Sequence, residues 1–553
     1  MSDHQKYNEW LLCSAMPGEL TDQLRSMDED TVHDCFYRDL SFGTGGLRGV
    51  LGAGTNRMNL FTVLKASRGL GLYLCSTFRR PSCAVSFDSR IHSEDFARLT
   101  SAALAEMGID VWLYPRLQPT PMLSFAVRHL SASAGVMITA SHNPARFNGY
   151  KVYGEDGCQI TPQAAALIQQ NIDQLPDLSD CLPSFDRYLS CGKIRYITDD
   201  TIESYYQSVL SLRTRPCTQP LHVVYTPLNG TGNIPVREAL RRFGNVRVDV
   251  VPEQELPDGR FPTCPYPNPE IRDAMNLAID LTVRTNADLC IATDPDCDRM
   301  GAGVRTGSGV VLISGNDMGV LLLDYLCRSR RRLEGNLSPV AVKTIVTTEM
   351  AAALCQRYGI ELRNVLTGFK YIGEQIGLLE SAGQKDRFLF GFEESYGYLS
   401  GTDVRDKDAV NAVILLCDMA AELKSQGKTL LDRLSELQRE YGYFVQRLLT
   451  YEYDGEKGSV RMKSIMDSLR SPLDLFEDDR MHSAVRTDYL HDDTGLPRSN
   501  VISFRLSESD QFVIRPSGTE PKLKAYLFTR AESEEKAGIK LDRMQELVDL
   551  LCK

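Results

Sequence analysis

Over residues 82–298 the chain alternates short β-branched or apolar runs with segments of helix length, and that alternation limits its fold more than any other feature. Runs at 82–87, 109–114, 136–139, 222–225, 246–251 and 288–292 are predicted strands; 94–107 and 162–172 are predicted helices. Strands that return to a parallel neighbour through a helix need both sheet faces covered, so the pattern predicts parallel sheets layered between helices. It restarts after Gly315, with strands predicted at 340–347 and 388–392 and helices around 349–358 and 371–379. Beyond Lys424 the order changes: a charged helix at 430–441 leads to strands at 444–453, 501–506, 512–514 and 523–528 and a last helix at 533–551, which predicts an α+β unit. A length of 553 residues suits three to five domains at about 100–200 residues each. Breaks are expected near 195, 310 and 430, giving units 1–195, 196–310, 311–430 and 431–553.

Charge and apolar patterning exclude several partners. The chain has 62 basic against 73 acidic residues, a net charge of -11, and no long Lys/Arg block offsets this, so it is not expected to bind nucleic acid through phosphates. Apolar runs such as 409–417 stop short of the ~20 residues that cross a bilayer, and the start, with Asp3, His4, Gln5 and Lys6, lacks a signal-peptide core. A cytoplasmic protein without a membrane partner is expected. The 15 cysteines are scattered, with no C-x-x-C pair, and read as reduced thiols rather than a disulfide framework or zinc site.

Four loops at predicted strand ends carry groups suited to chemistry, the place where α/β proteins put it. Thr139-Ala140-Ser141-His142-Asn143-Pro144 presents Ser141 beside a ring nitrogen, a candidate nucleophile or phosphate carrier. Asp294-Pro295-Asp296-Cys297-Asp298-Arg299 alternates three carboxylates, expected on one side of an extended loop, where they need a hard divalent cation; magnesium is the expected ion. An EF-hand is excluded, because Arg299 and Arg305 stand where its Gly and Glu belong. Gly391-Phe392-Glu393-Glu394-Ser395-Tyr396-Gly397 offers carboxylates and a hydroxyl to sugar hydroxyls. Arg515-Pro516-Ser517-Gly518-Thr519-Glu520-Pro521-Lys522 can cradle a phosphate dianion. Near the N-terminus, Gly43 to Gly49 places Arg48 in a predicted flexible loop, where it could pair with a phosphoryl group. Taken singly, each loop also fits an ordinary polar turn.

In this order and spacing, the four loops resemble those of the α-D-phosphohexomutase superfamily over nearly the whole chain. The Gly43 to Gly49 opening, the Gly-Phe-Glu-Glu-Ser loop and Arg405-Asp406-Lys407-Asp408 are similar to its phosphoglucomutase and phosphopentomutase branch. The resemblance implies a heart-shaped, four-domain α/β architecture, three related α/β units and a C-terminal α+β unit around a central cleft. It implies a phosphoserine at Ser141, one magnesium ion held by Asp294, Asp296, Asp298 and a phosphoryl oxygen on Ser141, and Arg48 bracing that phosphoryl group. His142, Lys151 and Lys407 match acid/base or phosphate-contacting positions, with their division of labour open. Glu393 and Ser395 would hold sugar hydroxyls, Thr367 and Gly368 would track sugar orientation, and Arg515, Ser517, Gly518 and Thr519 would bind the nonreacting phosphate. The implied activity moves phosphate between C1 and C6 of a hexose through a hexose 1,6-bisphosphate, in a monomer or dimer acting on a small sugar phosphate. Pentose or mannose phosphates are alternative substrates, and a metal-dependent sugar-phosphate phosphatase is the alternative outside the family.

Overall fold

The computed structural model describes residues 2–43, 45–214, 219–329, 337–453, 455–516 and 522–552. Four sheets succeed one another along the chain. In the first, the parallel strands Ser82–Phe87, Asp110–Leu113, Ala134–Ile138 and Ile194–Tyr196 are joined by Phe147–Gly154 and Gly46–Val50, both antiparallel to their neighbours. The second has parallel Leu221–Thr226, Val246–Val250 and Leu289–Thr293, then antiparallel Met300–Thr306 and Gly309–Ile313. The third has parallel Val340–Thr344, Glu361–Val365 and Phe388–Glu393, then antiparallel Gly397–Leu399.

One device therefore recurs three times: a buried parallel strand (Ala134–Ile138, Leu289–Thr293 or Phe388–Glu393) ends in a short loop and turns back as an antiparallel strand. Those three loops hold Ser141, the aspartates and Glu394. The parallel strands are where the β-branched runs predicted them, because burial on both faces demands continuous apolar sequence. The return strands escape that signal, since they carry Asn148 and Lys151, Arg305, or only three residues.

The fourth sheet is wholly antiparallel: Tyr443–Glu452, Val485–Asp488, Ile502–Arg505, Asp510–Pro516 and Lys522–Ala531, backed by the helix Glu534–Cys552. Its core, including Phe504, Phe512, Leu527 and Leu547, is separate from the one that runs through the second and third units and takes in Tyr114, Met122 and Phe125 of the first. A small patch of Val346, Val501, Val513 and Tyr526 joins it to the third unit. Helix Ala409–Ser425 is buried almost all round in the shared core, which explains its apolar sequence without a membrane. Among the described residues no helix is long and apolar enough to cross one.

Candidate active site

Ser141 sits at the tip of the first loop with φ of 52°, left-handed backbone that costs a serine roughly 1–2 kcal/mol. Its amide donates to Thr139 Oγ1 (2.8 Å), and the side chain points inward, 3% exposed. Ser141 Oγ donates to Asp294 Oδ2 at 2.7 Å and lies 3.1 Å from His142 Nδ1. The bend is held from below by Arg90, a buried residue that the sequence reading did not single out. Arg90 Nη1 donates to Pro144 O (2.9 Å) and Phe147 O (3.0 Å), and Nη2 donates to the carbonyls of Ser141 and Asn143.

Asp294, Asp296 and Asp298 are buried, at 0, 0 and 1% exposed. The expected extended loop is instead a tight turn. Cys297 takes φ of 53°, its amide donates to Asp294 O, and the amides of Asp298 and Arg299 donate to Asp294 Oδ1 (3.1 and 3.0 Å). Carboxylates on an extended strand would spread at about 7 Å per second residue; the turn instead gathers one oxygen from each within 4.8 Å. Asp296 Oδ1 and Asp298 Oδ1 are buried with no hydrogen-bond partner, a costly arrangement for charged oxygens. An all-oxygen donor set with such orphaned atoms fits a hard divalent cation.

Two ammonium groups flank the triad. Lys151, on the return strand Phe147–Gly154, reaches Asp296 Oδ2 at 2.7 Å and Asp298 Oδ2 at 3.6 Å. Lys407 reaches Asp298 Oδ2 at 3.2 Å and Asp406 Oδ1 at 3.0 Å. Asp406 accepts from Tyr153 of that same return strand (2.9 Å), and Asp408 caps the helix Ala409–Ser425 while accepting from Tyr205, so the run Arg405 to Asp408 is both a helix start and part of the site. Thr120 Oγ1 also donates to Asp296 Oδ2 (2.8 Å), tying the first unit to the second.

The electrostatics follow from burial and these pairs. Burial, then Asp296 and Asp298, push the Asp294 carboxyl up. Burial is the largest influence on Asp296 and would raise it too, but Lys151, together with hydrogen bonds to Asp294 and from Thr120, holds Asp296 low. For Lys407 the downward push of burial is outweighed by Asp298 and Asp406, which keep the ammonium charged; Lys151 is likewise raised on balance by Asp296 and Asp298. Burial, with Arg299 and Arg48 nearby, pulls His142 well below the usual imidazole value, so its ring is neutral at physiological pH.

Arg48 is not in a flexible loop as expected; it lies on strand Gly46–Val50, whose pairing with Phe147–Gly154 fixes its position, and Nη1 donates to Asn143 Oδ1 at 3.2 Å. The third loop joins the second through an Arg299–Gly397 bridge and a bond from Met300 N to Tyr396 O (3.1 Å). Glu393 is buried, and its Oε1 accepts from Gly368 N (2.8 Å). Gly368 has φ of 121°, which a residue with Cβ rarely adopts. Thr367 Oγ1 beside it is buried without a hydrogen-bond partner. Ser395 is partly buried in the turn after Glu393. At Gly397 a Cβ would lie 2.3 Å from Lys407 Cδ, so the lysine stem requires glycine there.

Arg515 comes from the fourth sheet, with Nη2 donating to Tyr526 (3.3 Å) and Nε buried without a hydrogen-bond partner. Ser517, Gly518 and Thr519 lie outside the described residues. Lys524, opposite Arg515 in the strand register, was also missed; burial and Arg515 depress its ammonium. Its alternation with Lys522 and Tyr526 was the available sign. For Arg90 the sign was Asp88-Ser89-Arg90 at the end of a buried strand.

Residues 39–178, 203–307 and 314–441 match the models of α/β/α domains I, II and III of the phosphoglucomutase/phosphomannomutase family. A phosphoglucomutase of Staphylococcus epidermidis is 38% identical over 526 residues, 91% of this chain and 95% of that protein. One of Staphylococcus aureus is 36% identical over 525 residues, 92% of this chain and 93% of that protein. In fold, the chain is similar to pp63/parafusin, a phosphoglucomutase from Paramecium in its open form (TM-score 0.67, 16% identity, 93% and 95% of the two chains). It is also similar to a phosphoglucomutase/phosphomannomutase family protein from Burkholderia thailandensis (TM-score 0.68, 16% identity, 92% and 97%).

Proposed function

The chain belongs to the phosphoglucomutase/phosphomannomutase family, and we propose that it interconverts glucose 1-phosphate and glucose 6-phosphate through a phosphoserine at Ser141 and a glucose 1,6-bisphosphate intermediate. The observation that carries this reading is Ser141 Oγ, 2.7 Å from Asp294 of a buried aspartate triad that two lysines flank, with the His142 ring nitrogen 3.1 Å away. Phosphoryl transfer asks mainly for positioning and for cationic stabilisation of the moving group, and this pocket offers both.

Asp294, Asp296 and Asp298 would hold one magnesium ion with a phosphoryl oxygen on Ser141. When bound, that ion supplies positive charge to the transferring phosphoryl oxygens. Ser141 Oγ gives its phosphoryl group to the free sugar hydroxyl, whose proton passes to Ser141 Oγ as the Oγ–P bond breaks; later Ser141 Oγ takes the other phosphate, and its own proton passes to the sugar oxygen released. Neutral His142 Nδ1, at 3.1 Å, can receive or return the proton at Ser141 Oγ. Lys151 and Lys407, held cationic by their aspartates, balance the charge of the phosphoryl oxygens and keep the triad from repelling them. Arg48 would brace the same group, a role supported by its bond to Asn143, two residues from Ser141.

At the far end of the sugar, Arg515 with its unpartnered Nε, together with Ser517, Gly518 and Thr519, would take the nonreacting phosphate. Glu393 and Ser395 would accept and donate to sugar hydroxyls, while Thr367 Oγ1 and Gly368 line the same side. The small body carrying Arg515 has its own core, which suits a cleft that closes around the intermediate and keeps water out.

Coupled assays with glucose 1-phosphate and ribose 1-phosphate, with magnesium and catalytic bisphosphate, test the reading. Glucose phosphate is expected to be the better substrate, and no turnover of either would refute it. A phosphatase would instead release inorganic phosphate in step with substrate loss, and none is expected here.

A further inference from the structure

Arg90 donates to none of the side chains assigned to chemistry, yet everything about its placement bears on the backbone of Ser141. It follows the buried strand Ser82–Phe87, is 3% exposed, and spends its guanidinium on four main-chain carbonyls of one short segment: Ser141, Asn143, Pro144 and Phe147. Its own orientation is fixed by Asp88. The Asp88 carboxylate lies 3.4 Å from Arg90 Nε, and Asp88 Oδ1 accepts from Arg90 N (2.9 Å) and Ser93 Oγ (2.7 Å). The guanidinium also lies 5.0 Å from the ring centre of Phe261, a residue of the second unit, which carries the aspartate triad.

A left-handed serine flanked by unpaired carbonyls would relax if those carbonyls were free to turn. Only a planar donor fork can serve four of them at once; an ammonium offers a single point of three donors. We infer that Arg90 is a positioning residue for phosphoryl transfer: it locks the Ser141 bend and seats that bend against the triad-bearing unit, so that Ser141 Oγ is in place to recapture phosphate from the bisphosphate before the intermediate escapes. This inference rests on Ser141 being the phosphoryl carrier.

The test is the number of bisphosphate molecules released per product formed, measured in wild type, Arg90→Lys and Asp88→Asn. The ratio counts only active molecules, so a merely destabilised variant leaves it unchanged. Arg90→Lys is expected to raise it about tenfold or more, since a misplacement of about 1 Å is enough to slow a positioned transfer. Asp88→Asn, which keeps the fork but loosens its anchor, is expected to shift it in the same direction by a smaller factor. A ratio within twofold of wild type in both variants, even with reduced turnover, would overturn the inference. Should Arg90→Lys fail to fold, the Asp88→Asn ratio decides alone: a rise supports the role, and no change overturns it. If wild type itself carries no phosphate on Ser141, the proposed function fails, and that is seen before any variant is compared.

Discussion

Replacing Glu394 with glutamine keeps an acceptor for the hydroxyls of Thr344 and Thr347 (3.3 and 3.4 Å) but removes a titrating proton from the sugar loop. Burial first, and then the neighbouring Glu393, push the Glu394 carboxyl from its ordinary 4.5 up to about 7. Between those values the folded chain holds a proton that the unfolded chain has released, so wild-type stability falls as pH rises. At about 1.4 kcal/mol per pH unit the full loss is about 3 kcal/mol, complete once the pH passes the folded value. The glutamine variant escapes this loss, and its advantage over wild type should grow by about 2 kcal/mol between about pH 5.5 and about pH 8.5. Urea unfolding of the two full-length proteins, followed by circular dichroism at both pH values, measures it. A stability difference that is the same at both would refute the claim that burial sets the state of this carboxyl.

Other expectations are more direct. Asp296→Asn weakens the only buried carboxylate cluster of its kind among the described residues, so magnesium should no longer raise the melting temperature and mutase activity should fall more than about 100-fold, measured by thermal shift and coupled assay. Arg515→Lys keeps the charge but loses the two-pronged donor, so kcat/KM should fall by at least about tenfold while magnesium binding, read by thermal shift, stays unchanged.

Much of this was legible in the sequence because buried parallel strands must be continuously apolar, and because the four loops keep their functional residues together in the chain. Ser141, the three aspartates and Glu393 could be named for that reason. What escaped depends on partners far apart in the chain. The return strand Phe147–Gly154 looks too polar for a core strand, yet its Lys151 finds Asp296 and its Tyr153 finds Asp406. Arg90 resembles a surface arginine until the carbonyls more than fifty residues later are seen to need it. The aspartate turn was misjudged for a local reason: the left-handed Cys297, at a residue type with no bias toward that geometry, leaves no trace in the spacing. Arg48 was misplaced because the four glycines between 43 and 49 suggest a free loop, whereas pairing with Phe147–Gly154 makes the segment a strand.

Intact mass of wild type and Ser141→Ala, each exposed to glucose 1,6-bisphosphate and then desalted, is the most direct trial of a phosphoserine seated on the aspartate triad. A single added phosphoryl group on wild type that is missing from the alanine variant is the predicted result. A bare wild type, or the same added mass on both proteins, would contradict it.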